Sequence, residues 1–397
     1  MKEEHQQIII KKIAESLNIP DSAYEKASAR YKALGEWFGR KESACGNFDP
    51  HIYPQGSFRL GTVVRGDSYD LDFGCRLRQG VTKETHTQQD LKKLVGADME
   101  AYRKANGIQN ELAEKHRCWR LEYADELQFH MDGVPSIPEL EERRRHLKEA
   151  MIKSGRESVL AESVAAFAGA ITDNRLPNYA RIDPDWRVSN SEGYALWFEH
   201  RMRRGMTGAQ ERVFLEKRAF AQVDNLPTVQ RAATPLQQSI QLLKRHRDIM
   251  FSENADSKPI SIILTTLAGW AYDGEADLIQ AIQGILQRMG TFVRRENPRV
   301  PNPVNPQEDF ADKWADSKYA SLRLEDSFWS WLRQAQNDLD LILGSSDPSF
   351  IAEQAVECFG SRIDEDDLAS RIGRPSRIHI PKKVPVSSAP AKPWLWG

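Results

Sequence analysis

Residues 53–73 read YPQGSFRLGTVVRGDSYDLDF, and this stretch decides the fold. A Gly56-Ser57 turn precedes an apolar run that carries Asp70 and Asp72 two positions apart. Successive side chains alternate between the two faces of a strand, so residues two apart share a face. We therefore predict that Asp70 and Asp72 point into one space while the apolar residues between and after them enter the core.

A third carboxylate, Asp132, lies 60 positions after Asp72 on another predicted strand. Two alternating apolar runs on either side of 124–126 predict a hairpin. If its second strand neighbours the strand of Asp72, the three carboxylates meet. His130 shares the face of Asp132, either as a general base or as a hydrogen-bonded structural histidine. The alternating apolar residues are Trp119, Leu121 and Tyr123, then Leu127, Phe129 and Met131.

These residue types indicate a metal ion and a phosphate. Clustered carboxylates repel each other unless a cation lies between them, and a divalent metal is the common solution. A Gly-Ser turn that opens a helix offers a phosphate close backbone approach, free N–H groups, a hydroxyl and a positive dipole end. Arg59, one turn into that helix, reaches either a phosphate or a surface partner. Together these features predict phosphoryl or nucleotidyl transfer, whereas a lone Asp-x-Asp pair is more often solvated.

The composition is that of a globular protein with more than one packed unit. The chain has 397 residues, 40% hydrophobic and 28% charged, with a formal net charge of −2. This balance disfavours a dedicated polyanion binder, which usually carries a basic excess. Four widely spaced cysteines without a C-x-x-C motif disfavour a cysteine zinc site and a disulfide framework. No signal peptide or bilayer-spanning apolar run is evident, so we expect a cytoplasmic protein without membrane contact.

Local signals predict an α+β fold with a mixed sheet in the first half and a helical second half. We assign a core with a long N-terminal helix to residues 1–192, a helical lobe that completes the site to 193–372, and a flexible Pro-rich tail to 373–397. Within this outline we predict a short helix Ser57–Val64, a capping box from Ser136 to Glu139, a helix start at Thr234-Pro235 and a surface linker over 297–306.

The pattern of a Gly-Ser turn, Asp70-x-Asp72 and Asp132 resembles the polymerase-beta-like nucleotidyltransferase superfamily. Further segments resemble the bacterial cyclic-oligonucleotide synthases related to cyclic GMP-AMP synthase, a family that signals in anti-phage defence. The resemblance covers most of residues 22–345. The segments that carry it are QGSF (55–58), SNSEGYALWFEHRM (189–202), QLLKRHRDIMF (241–251), KPISIILTTLAG (258–269) and NPVNPQEDFADKW (302–314).

The resemblance implies an enzyme with a polymerase-beta-like nucleotidyltransferase core and a helical C-terminal lobe. Such an enzyme joins ATP and/or GTP into a cyclic di- or trinucleotide second messenger. A ribose hydroxyl attacks the α-phosphate and pyrophosphate leaves, with two Mg²⁺ ions, or Mn²⁺ in their place, as cofactors. By the same resemblance the catalytic and metal-binding residues are Asp70, Asp72 and Asp132, and the nucleotide-binding residues are Gln55, Gly56, Ser57, Lys244 and Ser261.

Other products and roles are compatible with the same residues. A linear oligoadenylate synthase, or an enzyme that nucleotidylates a small molecule or a protein, would use the same acidic triad. A binding module that has lost catalysis is disfavoured, because three clustered carboxylates destabilise a protein that does not need them. Without the resemblance, Lys244 is an ordinary helix lysine and Ser261 a helix cap. The sequence lacks the His/Cys zinc insertion of the animal enzyme, so we expect no zinc-dependent DNA sensing.

The C-terminal segment PKKVPVSSAPAKPWLWG is rich in proline and ends in Gly397. Some members of the resembled family are conjugated through their C-terminal residue by a ubiquitin-type E1–E2 fusion protein. A terminal glycine suits a narrow channel because it has no Cβ, and Trp394 and Trp396 suit a partner pocket. The segment predicts either conjugation of Gly397 by an E1–E2-like partner or a disordered tail with no partner.

Overall fold

The first half of the chain is built around one mixed sheet. The structure is a computed structural model that describes residues 2–66, 68–124, 128–204 and 233–371. Seven strands of the described residues form the sheet: β1 (Pro50–Pro54), β2 (Tyr69–Leu77), β3 (Ala113–Glu114), β4 (Trp119–Glu122), β5 (Phe129–Pro138), β6 (Gly169–Ile171) and β7 (Arg187–Ser189). Their order is β1-β2-β5-β4-β3, with β6 beside the far end of β5 and β7 beside β6.

The two strands that carry the acidic residues are neighbours. Strand β2 pairs in parallel with β5, and β4 pairs with β5 as the antiparallel hairpin that the alternation predicts. Strand β1 pairs with the other side of β2. Both acidic strands therefore lie in the interior of the sheet, where pairing on two sides fixes which way each side chain points.

Seven helices accompany the sheet in the described part of the first half: α1 (Lys2–Ser16), α2 (Asp21–Phe38), α3 (Gly56–Leu60), α4 (Gln88–Ala105), α5 (Glu141–Lys153), α6 (Ser158–Ala165) and α7 (Ser191–Arg203). The buried stripe of α2 includes Tyr31, Leu34 and Phe38, at the spacing of one helix face. Helix α4 begins with a capping box in which Thr87 and Asp90 exchange hydrogen bonds.

The second half is mostly helical. Its described elements are α8 (Pro235–Met250), α9 (Ser261–Ala271), α10 (Leu278–Arg288), β8 (Pro301–Asn302), β9 (Asn305–Asp309), α11 (Leu324–Gly344), α12 (Pro348–Phe359) and α13 (Glu365–Arg371). The helix start predicted at Thr234 is confirmed. The Thr234 hydroxyl accepts from the Gln237 N–H, and the Gln237 side chain accepts from the Thr234 N–H.

Two hydrophobic cores hold these elements together. One lies between the sheet and helices α2 and α4. The other joins the helices of the second half to α1, α5, α6 and α7. Ile9, Ile10 and Ile13 of α1 are buried in this second core, so the first helix of the chain stabilises the last ones. The domain boundary predicted at residue 192 stays a prediction. Over the described ranges, no helix combines the length and apolar character that a membrane crossing requires.

Two local predictions about loops and helix ends are wrong. The helix predicted over 57–64 ends at Leu60, because Gly61 adopts a left-handed conformation (φ 64°) that closes it. The segment 297–306 is not a surface linker, because β8 and β9 pair as a hairpin there. Val304 of this hairpin is 1% exposed and lies in the second core. The Pro- and Asn-rich composition of this segment therefore gives no indication that it forms a packed β-hairpin.

The predicted capping box from Ser136 to Glu139 is also wrong. Ser136 pairs with Ile171 of β6, so strand β5 continues to Pro138, and α5 begins later without a side-chain cap. Glu139 is buried, and its carboxylate is paired with Lys83. Ser and Glu side chains favour a cap only where no sheet competes for the same backbone, and here the sheet prevails.

A buried carboxylate joins β7 to the rest of the sheet lobe. Asp173 is fully buried, and three half-exposed guanidinium groups bind it, from Arg117 (2.9 Å), Arg175 (2.7 Å) and Arg187 (2.9 Å). Burial opposes ionisation of Asp173. The hydrogen bonds from Arg175 and Arg117 outweigh it and hold the pKa of Asp173 below its ordinary value.

We expect Asp173→Asn to lower the free energy of unfolding near neutral pH by about 2 kcal/mol, since hydrogen bonds to charged groups contribute roughly that much. The folded-state pKa lies below the unfolded one. The contribution is therefore present above the unfolded pKa of about 4 and is lost as the pH falls through the folded pKa. Urea unfolding between neutral pH and about pH 3 should show a shallower acid loss in the variant.

The matched control is Asp185→Asn, which removes only an exposed ion pair with Arg143 and should change stability little. Equal acid slopes for wild type and Asp173→Asn would contradict the assignment.

Candidate active site

The acidic residues of β2 and β5 face each other. In the parallel register Asp72 lies opposite Asp132, and Asp70 lies opposite His130. The two-residue period then places Asp70, Asp72 and Asp132 on one face of the sheet. The expected meeting of the two strands is therefore observed, and it depends on a register that the sequence alone does not specify.

The Gly-Ser turn lies directly against Asp72. The N–H of Gln55 donates to the carbonyl oxygen of Asp72 (2.8 Å), which ties the turn to the strand. Gly56 has a φ of 61°, and a Cβ at this position would collide with the Asp72 carboxylate. Glycine alone satisfies both the backbone angle and the close approach. Ser57 follows in the first turn of α3 and is half-buried.

Arg120 binds the second carboxylate. It lies opposite Asp132 in the β4–β5 register, and its Nε and Nη2 donate to the two Asp132 oxygens at 2.7 Å each. Its Nη2 also lies 3.8 Å from Oδ1 of Asp70. The Asp70 side chain is 62% exposed, whereas that of Asp132 is 14% exposed. The guanidinium therefore offsets part of the negative charge on this face.

The carboxyl group of Asp72 has a strongly shifted pKa. Burial and, after it, the negative charges of Asp132 and Asp70 together raise the pKa of Asp72 to about 7. Arg120 and Lys244 oppose the rise without cancelling it. A strongly shifted carboxyl group beside a cleft is typical of functional sites.

Lys244 connects the helical lobe to the segment after the turn. Its buried ammonium group donates to the carbonyl and hydroxyl oxygens of Thr62, at 3.2 and 3.0 Å. Burial and, after it, the charge of the neighbouring Arg247 together lower the pKa of Lys244 to about 7. Ser261 is exposed at the start of α9, and Arg247 donates to its hydroxyl at 2.9 Å. Arg247 therefore lies near both residues: its charge disfavours that of Lys244, and it donates to the hydroxyl of Ser261.

A cleft of about 270 Å³ opens beside Asp72. Gln55, Gly56 and Asp72 line it from the sheet lobe, and the helical lobe closes the opposite side. A larger cleft of about 850 Å³ in the helical lobe shares no lining residue with it. Lining residues of the smaller cleft that the sequence reading did not single out are Ser189, Asn190, Ser191, Tyr194, Ile262, Asn302, Glu308 and Phe310.

All of these residues lie in segments that carry the resemblance (189–202, 258–269 and 302–314), but no local pattern assigns them to a cleft. Asn302 and Glu308 belong to the β8–β9 hairpin, which begins inside the predicted 297–306 linker, and the buried Asn302 amide donates to Glu308 at 2.7 Å. Nothing local distinguishes that hairpin from a linker. The position of Arg120 could be predicted from the sequence, because pairing the two strands of the predicted hairpin places Arg120 opposite Asp132.

Two further residues had competing interpretations. Arg59 lines the cleft, and its Nη1 lies 2.6 Å from Glu199, so it forms an ion pair in this structure. His130 has its Nδ1 3.8 Å from the Glu122 carboxylate. That position is compatible with a structural role, and nothing in the contacts of His130 indicates a base.

The residues of this face suit a hard divalent cation. The donors are carboxylate oxygens, the ligands that Mg²⁺ and Mn²⁺ prefer, and the raised pKa of Asp72 marks a position where a cation would favour the charged form. Among the residues described, no three His, Cys, Asp or Glu side chains stand close enough to hold a metal ion as placed. Arg120 occupies both oxygens of Asp132. The donor set fits, provided that the Arg120 contact opens.

Comparison with known proteins identifies the domain that carries this face. Residues 50–136 match the family model described as "Cyclic GMP-AMP synthase DncV-like, nucleotidyltransferase domain". These residues form a DncV-like nucleotidyltransferase domain. The DncV-like domain begins with β1 and ends in β5, so it contains the turn, Arg120 and the three acidic residues. The resemblance drawn from the sequence is confirmed.

Two relatives are similar to this chain over a much longer range than residues 50–136. A c-di-GMP synthase from Roseivirga ehrenbergii is 27% identical over 321 residues, which cover 77% of this chain and 72% of the relative. Cyclic dinucleotide synthase CdnG from Bradyrhizobium diazoefficiens is 27% identical over 340 residues, covering 78% and 70%. Both relatives are cyclic dinucleotide synthases.

Solved structures share the whole fold. CdnG from Bradyrhizobium diazoefficiens in complex with GTP superposes with a TM-score of 0.62 at 21% identity, covering 93% of this chain and 98% of the other. A point mutant of the di-nucleotide cyclase DncV from Vibrio cholerae, in a complex that contains ATP and GTP, superposes with a TM-score of 0.52 at 15% identity, covering 92% of this chain and 89% of the other. At such identities the likeness shows the fold alone. It confirms the predicted α+β nucleotidyltransferase core with a helical C-terminal lobe.

The roles of individual residues stay predictions. Gln55, Gly56 and Asp72 line the cleft, as expected of a nucleotide site. Gly397 and its predicted conjugation lie outside the described residues. The remaining predicted residues do not line the cleft: Ser57, Asp70, Asp132, Lys244 and Ser261.

Proposed function

We propose that this chain is a Mg²⁺-dependent nucleotidyltransferase that joins GTP, alone or with ATP, into a cyclic dinucleotide. The observation that carries the proposal is the position of Asp72 opposite Asp132 on adjacent parallel strands, directly beneath the Gly56 turn. The activities named for the relatives from Roseivirga ehrenbergii and Bradyrhizobium diazoefficiens support the product class. The GTP complex of CdnG supports GTP as a substrate.

The residues of the chain position a triphosphate for in-line attack. The turn at Gly56 and Ser57 offers backbone N–H groups and a hydroxyl to the phosphates. An arriving triphosphate favours the charged form of Lys244, whose pKa burial has lowered. Mg²⁺, when bound, supplies positive charge that neutralises the triphosphate and makes a ribose hydroxyl easier to deprotonate.

Once its contact with Arg120 opens, Asp132 would orient the attacking hydroxyl and accept its proton. The oxygen of that hydroxyl forms a bond to the α-phosphorus while the bond to pyrophosphate breaks. A second round on the bound linear intermediate would close the ring. Asp70, more exposed than the other two carboxylates, completes the acidic face toward solvent.

Purified protein incubated with GTP, ATP and Mg²⁺ should yield a phosphatase-resistant product with the mass of a cyclic dinucleotide. Chelation of the metal should abolish it. Product that phosphatase removes entirely would instead identify a linear oligonucleotide synthase, the alternative that the sequence leaves open. Absence of any nucleotide product under these conditions, with the protein folded, would refute the proposal.

We extend the proposal to the setting that the resemblance implies. The product would act as a cytoplasmic second messenger in bacterial anti-phage defence. Infection of cells that carry the intact gene or an Asp132→Asn version tests this, with plaque counts as the readout. Equal plaque counts would count against an antiviral role while leaving the enzymatic proposal intact.

A further inference from the structure

Arg120 is placed where a divalent cation would have to bind. Its two hydrogen bonds to Asp132, each 2.7 Å long, use both carboxylate oxygens, and its third contact reaches Asp70 at 3.8 Å. Pairing of β4 with β5 holds the two backbones opposite each other, so the contact follows from strand register rather than from a chance surface rotamer. The Arg120 side chain is 28% exposed and that of Asp132 is 14% exposed.

The guanidinium and a metal ion compete for the same oxygens. A divalent cation needs carboxylate oxygens at about 2.0–2.6 Å. A carboxylate has about four lone-pair sites, and the Arg120 guanidinium takes one on each oxygen of Asp132 and places a positive charge beside the rest. An arginine side chain does not lose its proton in proteins, so its charge is removed only by movement. A metal ion at Asp132 is therefore disfavoured until the Arg120 side chain moves away, and a departing guanidinium needs another anion.

We propose that Arg120 is a positioning residue that holds Asp132 in the metal-free enzyme and makes divalent-metal binding depend on nucleotide. The inference rests on the proposed function, since a nucleoside triphosphate is the anion that would release Arg120. Phosphate oxygens match the guanidinium fork as well as a carboxylate does. In the absence of nucleotide, Arg120 partly neutralises the acidic face and keeps it from collecting free cations.

Titration calorimetry of the full chain with Mn²⁺ tests this inference without relying on turnover. Each protein is titrated with Mn²⁺ alone and with Mn²⁺ in the presence of a GTP analogue that has a methylene bridge between its α- and β-phosphates. Wild type should bind Mn²⁺ weakly alone and more tightly with the analogue. Arg120→Gln should bind Mn²⁺ alone at least about fivefold more tightly than wild type, the lower end of usual ligand–ligand coupling.

Two further variants sharpen the test. Arg120→Lys keeps the charge but not the fork, so its Mn²⁺ affinity should fall between those of wild type and Arg120→Gln. Arg78→Gln removes an arginine that directly follows β2, the strand that carries Asp72, and that pairs with Asp49 on the surface. This variant should bind Mn²⁺ as wild type does. Thermal melting of each variant shows whether it is folded.

The outcomes separate this inference from the function on which it rests. Unchanged or weaker Mn²⁺ binding by folded Arg120→Gln would show that Arg120 only forms a cross-strand ion pair with Asp132. The proposed nucleotidyltransferase function would not be affected by that result. If Arg120→Gln does not fold, unchanged binding by Arg120→Lys overturns the inference in the same way. Failure of every protein to bind Mn²⁺, even with the analogue, would overturn both.

Discussion

Asp72→Asn is expected to lower the rate of cyclic dinucleotide formation by about 10²–10³-fold, the range seen when one preorganised electrostatic group is removed from an active site. The amide has the same shape as the carboxylate, so the turn at Gly56 keeps its packing. What is lost is the negative charge opposite Asp132, on which binding of a divalent cation depends. Steady-state rates of labelled GTP conversion measure the effect.

The same variant should be at least as stable as wild type in the absence of metal. Burial and the neighbouring charges of Asp132 and Asp70 both disfavour a negative charge on Asp72. Removing that charge removes the repulsion. A melting temperature in chelator that is equal to or above that of wild type, together with lost activity, separates a functional carboxylate from a structural one.

The matched control is Asp49→Asn, another aspartate of the sheet lobe. Asp49 pairs with Arg78 on the surface and has a φ of 49°, an angle that asparagine tolerates well. Its activity should equal that of wild type. If Asp72→Asn retains wild-type turnover, the acidic face is not the catalytic site.

Gly56→Ala is expected to reduce turnover about a hundredfold, because displacement of a reacting group by about an ångström is enough for such a loss. The added methyl group would press on the Asp72 carboxylate, and the positive φ of Gly56 would strain any other residue. Strain of this kind lowers the free energy of unfolding by about 1–2 kcal/mol. Turnover and urea unfolding measure the two effects independently.

Gly107→Ala separates these two contributions. Gly107 has a φ of 64°, close to that of Gly56, but a Cβ there meets no atom within 4 Å. This control should lose a similar amount of stability and no activity. If both alanine variants lose activity equally, the effect comes from instability rather than from contact with Asp72.

Much of the acidic face could be predicted because its signals are local. The alternation around Asp70 and Asp72 predicts strand β2 with the bounds that the structure has, Tyr69–Leu77. The apolar pattern on either side of 124–126 predicts the hairpin that carries Asp132. Both inferences use only the two-residue period of a strand, which neighbouring residues determine.

Two of the errors, unlike the helix end at Gly61, arose where a distant element overrode a local signal. The Ser136 capping signal was lost because β6, more than thirty positions along the chain, extends the sheet over it. The hairpin near Val304 was missed because its stability comes from burial in a core built by distant helices, which composition does not report. Lys244 contacts Thr62 across 182 positions, and no spacing rule anticipates such a contact.

The amino-acid sequence by itself determined which residues are predicted to carry the chemistry: a glycine that tolerates left-handed backbone, a serine, and acidic side chains spaced to share a strand face. Those properties belong to single residues and their immediate neighbours. Only the tertiary structure decided that Asp132 lies opposite Asp72, that Arg120 occupies Asp132, and that the helical lobe closes the cleft. Strand register and contacts between lobes depend on how distant segments pack, and one residue of slippage would turn every one of these side chains to the other face.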